Sequence, residues 1–117
     1  MKISQIKELL GAELLCGEDK LDTEVYSACC SDMMSDVLAF VKDQGVLLTG
    51  LVNAQVIRTV EMMDMLCVVF VRNKTPGADM LELAKDSGIV VMKSSIRAYE
   101  ACGILYEAGL KPQSLKK

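Results

Sequence analysis

The chain predicts an α/β domain: a mostly parallel sheet with helices on both faces, built from repeated strand–helix units. Three observations carry that expectation. Apolar runs begin near residues 25, 46, 66 and 89, a recurrence of about 21 residues, which is the period of α/β units rather than of a solenoid. The runs are continuous rather than alternating, as in strands covered on both faces. Each is followed by small polar residues and then by apolar positions at helical spacing.

The elements follow in order. Ser4 is an expected N-cap for a first helix, with Ile6, Leu9 and Leu10 as its stripe and Gly11 as its C-cap. Ala12 to Cys16 suits a short strand, and Gly17-Glu18-Asp19-Lys20 a polar turn. The apolar run Val25 to Cys30 opens the first repeat, with Ser31 as cap and Asp32 as first-turn acid. Met34, Val37, Leu38 and Val41 then recur at helical spacing before Gly45. The second repeat is the strand Val46 to Thr49, the loop Gly50 to Asn53, and a helix bearing Val56, Ile57, Val60 and Met63. The third is the strand Leu66 to Val71, the loop Arg72-Asn73-Lys74, a cap at Thr75, and Pro76 in the first turn of a helix that stops at Gly88. The fourth is the strand Ile89 to Met92, a Ser94-Ser95 cap, and a helix with Ala98, Ala101, Cys102 and Leu105 that ends at Gly109. Pro112 and the basic pair Lys116-Lys117 follow. One domain over residues 1–117 is expected at this length.

Composition narrows the function classes. The chain is 51% hydrophobic and carries 13 basic against 16 acidic residues, a net charge of −3. That argues against disorder, and against nucleic-acid binding, which needs a basic surface. Apolar runs last about six residues where a membrane span needs about twenty, so no membrane partner is expected. With no leader pattern near Met1, the expected location is cytoplasmic. There is no His, which removes Ser-His-Asp and Cys-His catalysis. Cys16, Cys29, Cys30, Cys67 and Cys102 show no C-x-x-C spacing, so no metal, cluster or other cofactor is expected and the thiols read as small buried hydrophobes. Asp22, Glu24, Asp32 and Asp36 are candidate acids near the expected edge, but nothing pairs them with a nucleophile or a metal motif.

In open α/β sheets ligands lie beyond the carboxyl ends of the strands. Those ends carry Ser31, Asp32, Thr49, Gly50, Asn53, Arg72, Lys74, Thr75 and Ser94, the candidate ligand-binding residues. Arg72, Lys74 and Lys93 supply positive charge, and the hydroxyls suit phosphate or carboxylate oxygens. A nucleotide or small anionic metabolite is the expected ligand class, although the same residue types also serve as plain helix caps. Eight Met in so short a chain suggest an adaptable interface, with Met33, Met34, Met62, Met63 and Met65 as candidates for a homodimer surface or another protein partner.

Leu21-Asp22-x-x-Val25, Asp32-Met33-Met34-Ser35-Asp36-Val37, Leu48-Thr49-Gly50, the strand Val68 to Val71 and Tyr99-Glu100-Ala101 resemble the DRTGG domain family. The stretch Leu47 to Thr59 looks most like small stand-alone members of anaerobic bacteria, some encoded beside iron-only hydrogenase genes. The resemblance implies a regulatory or dimerising module. Thr23 stands where the family has Arg, and Leu51-Val52-Asn53 replace its usual Gly-Asp-Arg, so no role for that Asp–Arg pair carries over. Three readings follow in order: a non-enzymatic regulatory or scaffolding homodimer, a sensor of a nucleotide or anionic metabolite, and a redox-linked accessory protein of hydrogenase metabolism using a thiol such as Cys16 or Cys30.

Overall fold

In the computed structural model, which describes residues 1–40 and 45–112, a five-stranded sheet is sandwiched between two layers of helices. The strands are β1 (Glu13–Cys16), β2 (Ser27–Cys30), β3 (Gly45–Thr49), β4 (Cys67–Phe70) and β5 (Val90–Lys93). The helices are α1 (Ile3–Leu9), α2 (Met34–Phe40), α3 (Ala54–Met62), α4 (Ala78–Ser87) and α5 (Ala98–Glu107). Val41, expected in the second helix, and the tail Lys116-Lys117 lie outside the described residues.

The sheet order is β1-β5-β4-β3-β2. β2 to β5 are parallel and adjacent in chain order, and β1 joins antiparallel beside β5, pairing Glu13 with Lys93. The sheet is therefore mostly parallel, as the continuous apolar runs require. Alternation sends Val46, Leu48, Cys67, Val69, Val90 and Met92 to one face, where Ile3 and Ile6 of α1 and Ala101 and Leu105 of α5 cover them. Leu47, Val68, Phe70 and Val91 point the other way, against Val37 of α2, Val56, Ile57 and Val60 of α3, and Ala84 of α4. Each large side chain so enclosed contributes about 1.5–3 kcal/mol through removal from water. β3 and β4 are buried throughout.

β2 is the exception, its burial falling off along the strand to an exposed Cys30. It is an edge strand, and its Ala28 and Cys30 side faces α5 across a groove. Its outer edge is partly closed by the segment after α5, where Ala28 N–H donates to the Lys111 carbonyl at 3.3 Å. Covering an edge in this way blocks strand addition by another chain.

Several helix starts differ from the expected caps. α1 begins at Ile3 after Lys2, whose N–H donates to the Gln5 side chain, so Ser4 lies inside the helix. α4 is capped at Gly77 rather than Thr75, and α5 at Arg97 rather than Ser94 or Ser95. In each case Ser or Thr belongs to a turn or a first turn near the helix start, a setting with the same local hydrogen-bonding habits as a cap. Asn53 does cap α3, its Oδ1 accepting from Val56 N–H at 3.3 Å.

Candidate functional site

The loops after β2, β3, β4 and β5 share one edge of the sheet, because those four strands run parallel and their carboxyl ends lie together. At that edge Asp32 reaches from the end of β2 to the neighbouring loop. Its Oδ1 accepts from Thr49 Oγ1 at 2.9 Å and from Gly50 N–H at 2.8 Å. Its Oδ2 faces the Arg72 guanidinium at 3.7 Å. The Gly50 N–H above all, then the Thr49 hydroxyl and the charges of Arg72 and Lys74, hold the Asp32 carboxyl below its ordinary value, against a smaller opposing effect of burial. Asp32 is thus not a first-turn acid of α2. It precedes the helix and organises the β3 loop.

Arg72 lies directly over Gly50: a Cβ there would run into the guanidinium. The backbone that presents Arg72 is unusual. Arg72 and Asn73 both adopt left-handed conformations, φ +58° at each. Their N–H groups donate to Ile96 O at 2.9 Å and Ser94 O at 2.8 Å, which offsets the strain. Lys74 is exposed beside them, and Lys93 Nζ donates to Thr75 Oγ1 at 2.9 Å.

The structure therefore brings Asp32, Thr49, Gly50, Arg72 and Lys74 into one constellation, with Thr75 and Lys93 alongside. Other expected residues are engaged elsewhere. Ser31 Oγ accepts from Met33 N–H in a local turn. The Asn53 side chain is committed to its cap. Thr49 is buried, donating to Asp32 and accepting from Leu51 N–H. Ser94 is buried and turned inward, donating to the Leu10 carbonyl at 2.7 Å and accepting from Ile96 N–H. Arg97 is exposed on the same edge at the start of α5, in a stretch whose sequence signals only a helix cap.

The methionines do not make one face. Met34 and Met65 are 4% and 3% exposed and belong to the core under α2 and α3, a correction to their expected place on a surface. Met63 is half-buried against the same core. Met33 and Met62 are 61% and 68% exposed, but one precedes α2 at the carboxyl edge and the other ends α3 at the opposite edge.

An apolar groove of about 290 Å³ runs between β2 and α5, lined by residues that include Cys30, Leu48, Cys102, Leu105 and Tyr106. No sequence motif marked it, since it arises where α5 leaves the edge strand half covered. Among the described residues no group of three or more His, Cys, Asp or Glu is placed to hold a metal ion, and no helix is long and apolar enough to cross a membrane.

No protein-family model and no curated protein matches the chain. A solved structure does: the regulatory region of Clostridium perfringens pyrophosphatase, comprising CBS and DRTGG domains and complexed with its activator diadenosine tetraphosphate. The TM-score is 0.74 at 17% identity, over 89% of this chain and 45% of that one. This chain thus spans under half the length of that structure. At such identity the likeness is one of architecture: the chain has a fold like that of a CBS and DRTGG regulatory region.

Proposed function

We propose that the chain is a non-enzymatic regulatory domain that senses a nucleotide or another phosphorylated metabolite at the carboxyl edge of its sheet. The observation that carries this reading is the seating of the Arg72 guanidinium on Gly50 beside Asp32. A guanidinium offers paired donors to phosphate oxygens. Here it is held by strained backbone and aimed by a carboxylate that an incoming phosphate would displace or share. Lys74 and Lys93 add charge nearby. The regulatory region similar in fold carries a dinucleotide activator, which supports nucleotides as the first compounds to try.

The test is thermal unfolding and calorimetry with adenine and guanine nucleotides, diadenosine tetraphosphate and inorganic phosphate. A ligand of this site raises the unfolding temperature with concentration, by mass action. Arg72→Ala, with its circular dichroism unchanged, abolishes the rise. Absence of any shift across the panel, or an equal shift in the variant, overturns the reading.

A homodimer is the second reading. It is supported by the large side chains left exposed on one helix, Tyr99 and Tyr106 of α5. Light scattering at tens of micromolar decides it: twice the chain mass supports a dimer, and a monomer overturns it.

A further inference from the structure

The two carboxylate oxygens of Asp32 are used differently. Oδ1 is engaged by the end of β3, accepting from Thr49 Oγ1 at 2.9 Å and from Gly50 N–H at 2.8 Å. The Thr49 hydroxyl is itself buried and accepts from Leu51 N–H at 3.1 Å, so the support beneath the carboxylate is fixed. Oδ2 faces the Arg72 guanidinium at 3.7 Å, beyond hydrogen-bond range. The Arg72 and Asp32 side chains are 46% and 59% exposed. A pair this long and this open to water adds little to stability, and it is not the two-pronged pairing that would occupy a guanidinium. A cation with open donors and an anion with an open acceptor oxygen are thus held side by side, both facing solvent.

We infer that Asp32 is the specificity-determining residue of this site, its Oδ2 accepting from the ribose hydroxyls of a ligand whose 5′-phosphate lies on Arg72. The inference rests on the reading above, that this edge takes a phosphorylated ligand, and it names the chemistry the ligand must also carry: a ribose 5-phosphate unit, free or within a nucleotide.

The charges select for that unit. A bare phosphate is drawn to Arg72 but repelled by the neighbouring carboxylate. A ligand with hydroxyl donors a few bonds from its phosphate satisfies both groups at once, and so turns a repulsive neighbour into an attractive one. The Asp32 carboxyl is held below its ordinary value, above all by the Gly50 N–H, so at neutral pH it is ionised and can only accept. One ionised oxygen has room for two donors, which suits the adjacent hydroxyls of ribose. An acid that takes ribose beside donors that take phosphate is also the arrangement of nucleotide sites in other α/β sheets.

The experiment is titration calorimetry of the full chain with adenosine and guanosine 5′-monophosphate, their 2′,3′-dideoxy forms, ribose 5-phosphate and inorganic phosphate. The ribose compounds should bind about tenfold or more tightly than the dideoxy forms and inorganic phosphate, as expected for lost hydrogen bonds to a charged group. The tighter of nucleotide and ribose 5-phosphate names the source of the unit. Asp32→Asn leaves an oxygen for Thr49 and Gly50 but puts an N–H donor where Oδ2 was. It should erase the difference between ribose and dideoxy ligands and bind inorganic phosphate more tightly than the parent does. The comparison of sugars on the unsubstituted chain stands whether or not that variant folds. Binding that is lost in Arg72→Ala but does not distinguish ribose from dideoxy ligands, or a preference that persists in Asp32→Asn, overturns the role of Asp32 and leaves the phosphate reading intact. Absence of Arg72-dependent binding by every compound overturns both.

Discussion

The guanidinium of Arg72 occupies the space that a side chain on Gly50 would need. Gly50 does not adopt a left-handed conformation, so its lack of a Cβ serves the arginine and not the backbone. Gly50→Ala should push aside the flexible end of Arg72 and change stability by less than about 1 kcal/mol. Nucleotide affinity should fall about tenfold or more, equivalent to about 1.4 kcal/mol of binding. Titration calorimetry beside urea unfolding separates the two effects, and unchanged affinity would remove Arg72 from the site.

Asp32 makes stability depend on acid. Its folded pKa lies below the ordinary carboxylate value. Its contribution is therefore complete above the unfolded pKa and is lost as pH falls through the folded one. Asp32→Asn keeps the oxygen that accepts from Thr49 and Gly50 but removes the charge facing Arg72. Because the side chain is 59% exposed, solvent screening limits the loss to about 1 kcal/mol at neutral pH. The two proteins should converge in urea unfolding at acid pH; a difference that persists there would show that the effect is not electrostatic.

Ser94 is expected to act on stability alone. Ser94→Ala leaves the Leu10 carbonyl and the Ile96 N–H without their buried partner, at a cost of about 1–3 kcal/mol. Ligand affinity of the folded variant should equal that of the parent. Loss of affinity at unchanged stability would return Ser94 to the ligand site.

The left-handed pair after β4 invites a backbone test. Asn tolerates φ +58° and a β-branched residue does not, so Asn73→Val should destabilise by about 1–2 kcal/mol. Asn73→Gly should be neutral or slightly stabilising. Equal stability of all three would mean that the turn relaxes at little cost.

The methionines separate by burial. Met34→Ala and Met65→Ala should each cost about 2–5 kcal/mol by opening a cavity, while Met62→Ser should shift stability by under about 0.5 kcal/mol. Urea denaturation distinguishes them, and a large cost at Met62 would place it in a buried interface.

The strands were legible because burial on both faces writes itself into the chain as unbroken apolar runs. The helices were legible from the spacing of residues such as Val56, Ile57 and Val60. Helix starts were less so, because Ser4, Thr75 and Ser94 make the same local hydrogen bonds whether they cap or turn. The centre of the candidate site was legible only as a set of residue types. That Asp32 would grip Gly50, or Arg72 lie on it, depends on two loops meeting across the sheet, which no local pattern encodes. The burial of Met34 and Met65 was not legible, because one opens α2 and the other lies in the short connection after α3, where periodicity is too short to tell inward from outward positions.

The two outer strands of the sheet have a consequence for how the molecule assembles. β2 to β5 can zip together in the order of synthesis, each against the strand before it. β1 must wait for β5, and the outer side of β2 must wait for Lys111. The first two strands to emerge are thus the last to be paired on those sides. Folding speed should be set by these two long-range closures rather than by the central units. Until both are made, each rim remains a template on which two unfinished chains can join.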